Sequence, residues 1–386
     1  MLVIKSRNVN GAWATAVQHL GHVGAGEKSR VGNVLVYPEP VATVYARPWE
    51  RVLFCERRDA NPFFHLFESM WMVAGESDAR WLDRYVGDFS ERFAEHNGHV
   101  HGAYGRRWRY HFMIDQISVI ARLLRSEPTT RRAVLTMWDP SADLGVEARD
   151  MPCNTHAYFR YQPADHTLDM TVCCRSNDIV WGCYGANAVH LSVLHEFVAS
   201  AADMHQGTYT QVSNNFHAYE DILDKMFPGD RPGHRWEVRD CDRYRTESVH
   251  ASPLFRREWS PNLVRGAITL WMQDPSFCTC GDFPELFDQL LVPMSRTHDL
   301  CKRRDYHGAL LSLQDVVPSD WRGACRMWIN RRLERQLARR QEEDSGRVLL
   351  LPETVGGQPS PDTGAAESQE TGPGLEPTGG AKLAAD

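Results

Sequence analysis

Residues 151–192 read MPCNTHAYFRYQPADHTLDMTVCCRSNDIVWGCYGANAVHLS, and their alternation decides the fold. After Pro152 and Cys153, His156, Tyr158 and Arg160 alternate with Ala157, Phe159 and Tyr161, the period of two expected of a strand. Leu168 to Cys174 is a second strand-like run, so two antiparallel neighbours would carry Arg175 to the sulfur of Cys153. A thiol at a strand end beside a cation is reactive as its thiolate. Taken singly, a cysteine in a chain with ten of them is more often a small core residue. Its neighbours argue otherwise.

Pro152-Cys153, then Arg175-Ser176-Asn177-Asp178, then Gly182 and Asn187 opening an apolar helix, resemble the P-C-H, R-S-x-D and G-x-P-F-N signatures of thymidylate synthases, in order and at nearly the same spacing. Three further stretches agree. Glu127 to Arg132 with Trp138 resembles D-P-x-S-R-R and the following W-N; Asn97-Gly98 to Trp108 resembles N-G-x-L-G-x-x-Y-G-x-x-W; and Asn215 to Tyr219 contains H-x-Y. The likeness covers roughly residues 25–220. It implies an α/β sandwich whose mixed sheet forms a homodimer interface, with helices outside. The implied chemistry is transfer of a one-carbon unit from 5,10-methylenetetrahydrofolate to C5 of a pyrimidine nucleoside monophosphate.

Residue by residue, the resemblance makes Cys153 the nucleophile at C6 and Tyr104 a helper in removing the C5 proton. Arg175 and Ser176 bind phosphate, joined by Arg131 and Arg132 of a second subunit. His217 and Tyr219 match residues that bind the sugar hydroxyl, and Asp178 matches the one facing the folate. Arg30, in the polar, glycine-containing loop 24–34, stands where the family carries the arginine of its mobile phosphate loop; backbone amides of such a loop suit an anion. Asn61-Pro62 starts a helix that Gly75 stops. Within it Glu68 shares a face with Phe64 and Trp71, so desolvation raises its pKa unless it is paired, and E-x-x-W also resembles the family's H-E-L-L-W-F. Glu68 therefore takes the proton-handling role, facing both nucleotide and folate. Asn187 starts a core helix and is either a cap or, through an amide that both donates and accepts, the reader of the pyrimidine edge.

Departures from the pattern bear on the product. The register set by Asn97-Gly98 and Tyr104 puts Ser90 and Phe93 of FSERF at the two tryptophans of the family's W-x-x-W, so a hydroxyl replaces the indole that shields the exocyclic methylene. P-F-N becomes Tyr184-Gly185-Ala186-Asn187 with one residue inserted, and Asn154 replaces the histidine after the cysteine. These changes resemble nucleotide 5-hydroxymethylases, in which water adds, more than synthases making dTMP from dUMP. On the base, the Asn187 context with its new His190 leans to dCMP, with dUMP next; Ser176 and Ala133 give a ribose 2′ hydroxyl no charged partner.

At the level of the whole chain, 386 residues with 42% hydrophobic composition bury a substantial core, and a formal charge of −7 argues against a generally basic nucleic-acid surface. No signal peptide and no run of some eighteen apolar residues is found, so no membrane span is expected. Cysteine spacing fits neither a disulfide framework nor a zinc site, Cys278-Thr279-Cys280 included, which points to reduced thiols in a cytoplasm and no metal. His190 and His195 diverge by over a hundred degrees around a helix, against a metal hydrolase. Retention of nucleophile, acid and arginines opposes a non-catalytic nucleotide- or RNA-binding descendant. One catalytic domain over 1–345 is expected, with long loops over 228–261, appended helices over 300–345, of which 319–341 is amphipathic, and a disordered tail over 346–386.

Overall fold

The alternating stretch folds into the middle of one mixed sheet. The computed structural model describes residues 1–348 except 31, 229–235, 237, 239–240, 247–248 and 276–280. Its strands are β1 (Leu2–Ser6), β2 (Ala25–Lys28), β3 (Asn33–Val36), β4 (Val41–Tyr45), β5 (Val134–Thr136), β6 (Asn154–Gln162), β7 (Thr167–Asp178) and β8 (His205–Tyr219). Spatial order is β1-β4-β8-β7-β6-β5, with the β2-β3 hairpin joined to β8 through β3. β1 with β4 and β7 with β8 run parallel, and the remaining pairs are antiparallel.

The principal helices are α1 (Val9–Val23), α2 (Pro62–Ala74), α3 (Phe89–Phe93), α4 (Gln116–Ser126), α5 (Asn187–Ala201), α6 (Pro261–Gln273), α7 (Val292–Lys302) and α8 (Ser319–Val348). The punctuation of α2 follows its sequence: Asn61 Oδ1 accepts from Phe64 N at 3.2 Å, and Gly75 ends the helix at φ +90°, where a β-carbon is strained. Phe63, Leu66, Phe67 and Met70 are fully buried. Truncating any of them to alanine removes roughly 2–5 kcal/mol.

Along β7, Leu168, Met170, Val172 and Cys174 are buried, while Asp169, Thr171 and Cys173 on the other side are half-exposed. Burial on one face only is what produces the period of two. The expected 24–34 loop is instead a hairpin with Arg30 near its tip; β2 is exposed throughout, so it lacks the apolar signature by which a strand is recognised.

Residues beyond the family-like stretch pack on the same core. Trp328 of α8 lies edge-on to Phe63 of α2 at 5.4 Å, and Asp59 Oδ1 accepts from Arg331 Nε at 2.8 Å and Arg332 Nη1 at 2.9 Å. The tail expected over 346–386 begins later, since α8 runs on to Val348; its remainder over 349–386 and the Cys278-Cys280 pair lie outside the described residues.

Candidate active site

Below the ends of β6 and β7 lies a cavity of about 420 Å³, reached by Cys153, Ser176, Asn177 and Asp178 from the strands, Glu68 from α2, and Asn187 and His190 from α5. The antiparallel pairing works as the sequence suggested: Arg175 N donates to Cys153 O at 2.9 Å, Arg175 Nε donates to Pro152 O at 3.0 Å, and Arg175 Nη2 lies 4.0 Å from Cys153 Sγ. The guanidinium is held from its other side by the Trp138 ring, 5.6 Å away. Tyr104 fixes the cysteine loop, its hydroxyl oxygen accepting from Cys153 N at 2.8 Å and Asn154 N at 2.9 Å. Two acceptances leave its own hydrogen to be donated toward the cavity, and burial holds the phenol well above its usual pKa.

Asn187 makes no capping bond. It sits in a one-way relay of side chains: Cys174 Sγ donates to Asn154 Oδ1 (3.2 Å), Asn154 Nδ2 to Asn187 Oδ1 (3.0 Å), Asn187 Nδ2 to Asn177 Oδ1 (3.1 Å) and Asn177 Nδ2 to Ser213 Oγ (2.9 Å). Burial keeps the Cys174 thiol protonated, and its one hydrogen has two acceptors at 3.2 Å, Asn154 Oδ1 and Ser176 O. The residue inserted before Asn187 is absorbed by a wide turn of π-helix over Ile179–Ala186. Only glycine fits at 185 there, since a β-carbon would come within 2.9 Å of both Val180 O and Arg58 Nη2.

Glu68 lies 3.2 Å from His190 Nε2, and desolvation, then the charge of Asp150, raises its carboxyl well above the usual range. Asp178 caps the π turn through Trp181 N; burial raises its pKa too, and its Oδ1 is buried with no hydrogen-bond partner among the described residues. Phe64, Trp71, Phe89, Phe93 and Trp181 supply aromatic walls. An acceptor atom awaiting an N–H between aromatic rings fits the planar heterocycle of a folate. His217 lines the cavity with Nδ1 donating to Asn215 Oδ1 at 2.7 Å, while Tyr219 packs edge-on behind it without lining the space.

The arginines expected at the phosphate are not brought to the cavity. Arg30, Arg131 and Arg132 are exposed, and none lines the cavity; Arg132 is paired with Glu127 at 2.6 Å. Ser90 is also elsewhere: its hydroxyl donates to Asp83 Oδ2 at 2.6 Å, and it is Phe89 and Phe93 of α3 that face the cavity. Sequence reasoning missed Arg58, buried against the Trp181 ring with Nε donating to Val180 O at 2.6 Å, and Asp150, whose carboxyl burial lifts to about 6. Neither stands in a motif; Arg58 ends a single 3-10 turn over Glu56–Arg58 and Asp150 lies in a loop, and only the closed fold brings them to the cavity. Among the described residues no cluster of side chains could hold a metal ion, no helix is long and apolar enough to cross a membrane, and none of the eight cysteines is in a disulfide.

A family model described as thymidylate synthase matches residues 62–228. The deoxyuridylate hydroxymethyltransferase of Pseudomonas phage M6 is 42% identical over 341 residues, covering 86% of this chain and 95% of that one. A protein of the same description from Bacillus phage SP01 is 31% identical over 193 residues, 47% of this chain and 50% of its own. With Cys153 and Asn187 lining one cavity and Arg175 beside the cysteine, these likenesses place the chain in the thymidylate synthase and pyrimidine-nucleotide 5-hydroxymethylase superfamily, as an enzyme of folate-dependent one-carbon transfer.

Proposed function

We propose that the protein is a deoxyuridylate 5-hydroxymethyltransferase acting as a homodimer, with Cys153 as its nucleophile. The observation that carries the reading is the placement of Cys153 Sγ 4.0 Å from a guanidinium at the rim of a cavity that also holds Asn187, Glu68 and Asp178. A cation there attracts a thiolate, and addition of that thiolate to C6 turns C5 into an enolate carbon able to attack an electrophile. Bound methylenetetrahydrofolate supplies that electrophile. Asp178 Oδ1 accepts from its ring, and the aromatic walls exclude water from its flanks. Tyr104 assists loss of the C5 proton, and Glu68 handles the proton at O4 through solvent. Arg30, Arg175 and Ser176 hold the phosphate together with Arg131 and Arg132 of the partner subunit, forks suited to bidentate contact. His217 takes the sugar hydroxyl, with Tyr219 supporting it. Residues 1–345 form one catalytic unit, α8 included.

For the base, the amide of Asn187 matches uracil by donating to O4 and accepting from N3–H; cytosine needs the same amide turned over. Two relatives described as deoxyuridylate hydroxymethyltransferases favour uracil over the cytosine to which the sequence context leaned. They also favour water over hydride as the final reactant. The test is to incubate the protein with methylenetetrahydrofolate and dUMP, dCMP or CMP and to weigh the products. The expected result is hydroxymethyl-dUMP without dihydrofolate; methylated dUMP with dihydrofolate appearing in step would make the protein a thymidylate synthase.

A further inference from the structure

Inside the cavity two buried polar atoms face each other without satisfying each other. Glu68 Oε2 and His190 Nε2 are 3.2 Å apart, but their alignment makes no hydrogen bond, and neither has another partner among the described residues. Orphaned polar atoms that deep inside a protein normally hold a water or a ligand. With its hydrogen on Nδ1, the neutral His190 ring presents Nε2 to the cavity as a bare acceptor. His190 is one turn from the base-facing Asn187 on α5, and both line the cavity that contains Cys153.

We infer that His190, paired with Glu68, is the catalytic base that seats and deprotonates the water adding to the one-carbon unit on the nucleotide. This rests on the reading that Cys153 and C5 together carry an exocyclic methylene after the folate departs. The water oxygen bonds to the methylene carbon, the C5=CH₂ electron pair moves onto O4, and O4 takes a proton from Glu68 through solvent. The water proton goes to His190 Nε2. Burial keeps both groups neutral at rest, pulling His190 down to about 3 and Glu68 up, so neither is an effective base alone. As Glu68 gives up its proton, the carboxylate it becomes sits 3.2 Å from the imidazole and favours the imidazolium. The proton then returns from His190 to Glu68, the C4 enol releases its proton to the departing Cys153 sulfur, and C5=C6 reforms. Water is consumed and nothing is oxidised or reduced.

The test uses full-length His190→Gln and His190→Asn with the protein in excess of C5-tritiated dUMP and methylenetetrahydrofolate. Tritium release precedes water addition and is expected to stay within about threefold of the parent. Hydroxymethyl-dUMP is expected to fall roughly 10²-fold or more, the usual contribution of a general base. The methylene-bearing nucleotide should accumulate on Cys153 in intact-protein mass spectra, and added 2-mercaptoethanol, whose thiolate needs no base, should release it as a thioether. Tritium release with undiminished hydroxymethyl product overturns the role of His190. No tritium release from the parent enzyme overturns the underlying reading of the site and this inference with it. If neither variant folds, the parent decides in D₂O: capture of the methylene slower than in H₂O supports a proton in flight, and an unchanged rate refutes it.

Discussion

Replacing Asn154 by alanine tests whether a fixed amide chooses the base. In the relay, Asn187 gives Nδ2 to Asn177 and takes Asn154 Nδ2 on its oxygen, at 3.1 and 3.0 Å. With Asn154 and Asn177 held as they are, turning the amide over would break both bonds and set nitrogen against nitrogen and oxygen against oxygen. At about 1–1.5 kcal/mol for each neutral hydrogen bond, the present orientation is favoured by about 2–3 kcal/mol, before any repulsion. That corresponds to roughly 30- to 150-fold in discrimination between uracil and cytosine, tenfold for each 1.4 kcal/mol. Asn154→Ala deletes one of the two restraints, so the ratio of kcat/KM for dUMP over dCMP should drop roughly tenfold, with dUMP turnover reduced less than the ratio. The assay is hydroxymethyl product from each nucleotide, with melting temperature as the control for folding. A ratio unchanged within about twofold in a variant that melts like the parent would refute selection by amide orientation.

Cys153→Ala should abolish product while leaving dUMP binding by titration calorimetry within about threefold, because charge-assisted contacts to phosphate supply most of the affinity; substantial remaining turnover removes Cys153 from its role. Mixing Cys153→Ala with Arg132→Ala subunits should restore up to about a quarter of parental activity, since a statistical half of the dimers are hybrids with one intact site of two. If subunit exchange is verified and no activity returns, the shared site is wrong. Asp150→Asn should raise the melting temperature at pH 8 and leave it nearly unchanged near pH 4: the carboxyl is lifted from 3.8 to about 6, so the folded state holds the proton more tightly than the unfolded state and loses stability as pH rises through that window. Equal shifts at both pH values would contradict it.

The parts of the site that were legible in the sequence are those written into one strand or one helix. β6 and β7 show their alternation because one face is buried, and the caps of α2 show because Asn61 and Gly75 act on their own turn. The Asn187 relay was not legible. Its members come from β6, β7, β8 and α5, and an asparagine opening a helix looks like a cap until the fold supplies a better partner. The insertion before Asn187 suggested altered base recognition, yet the π turn takes up the extra residue locally, so its length alone decides nothing. Arg58 has the weakest signal of all: a loop arginine reads as surface until Trp181 and Val180 close over it.

Ser90 shows why a substitution at an aligned position differs from a substitution in a site. Read by register, it put a hydroxyl where synthases carry a shielding indole, but that hydroxyl is bound to Asp83 and α3 turns Phe89 and Phe93 inward. The serine therefore acts on product choice only by the absence of an indole. Water must be attracted as well as admitted, and phenyl rings attract none. Within the same cavity one pair of unsatisfied groups faces each other, Nε2 of His190 and the carboxyl of Glu68. Each alone is a costly buried polar group; together they make a place for one water, since a buried water needs at least two polar partners. In the proposed reaction the step that separates a hydroxymethylase from a synthase is carried on α2 and α5, the helices at the centre of the core, where the positions of two polar groups are held by packing.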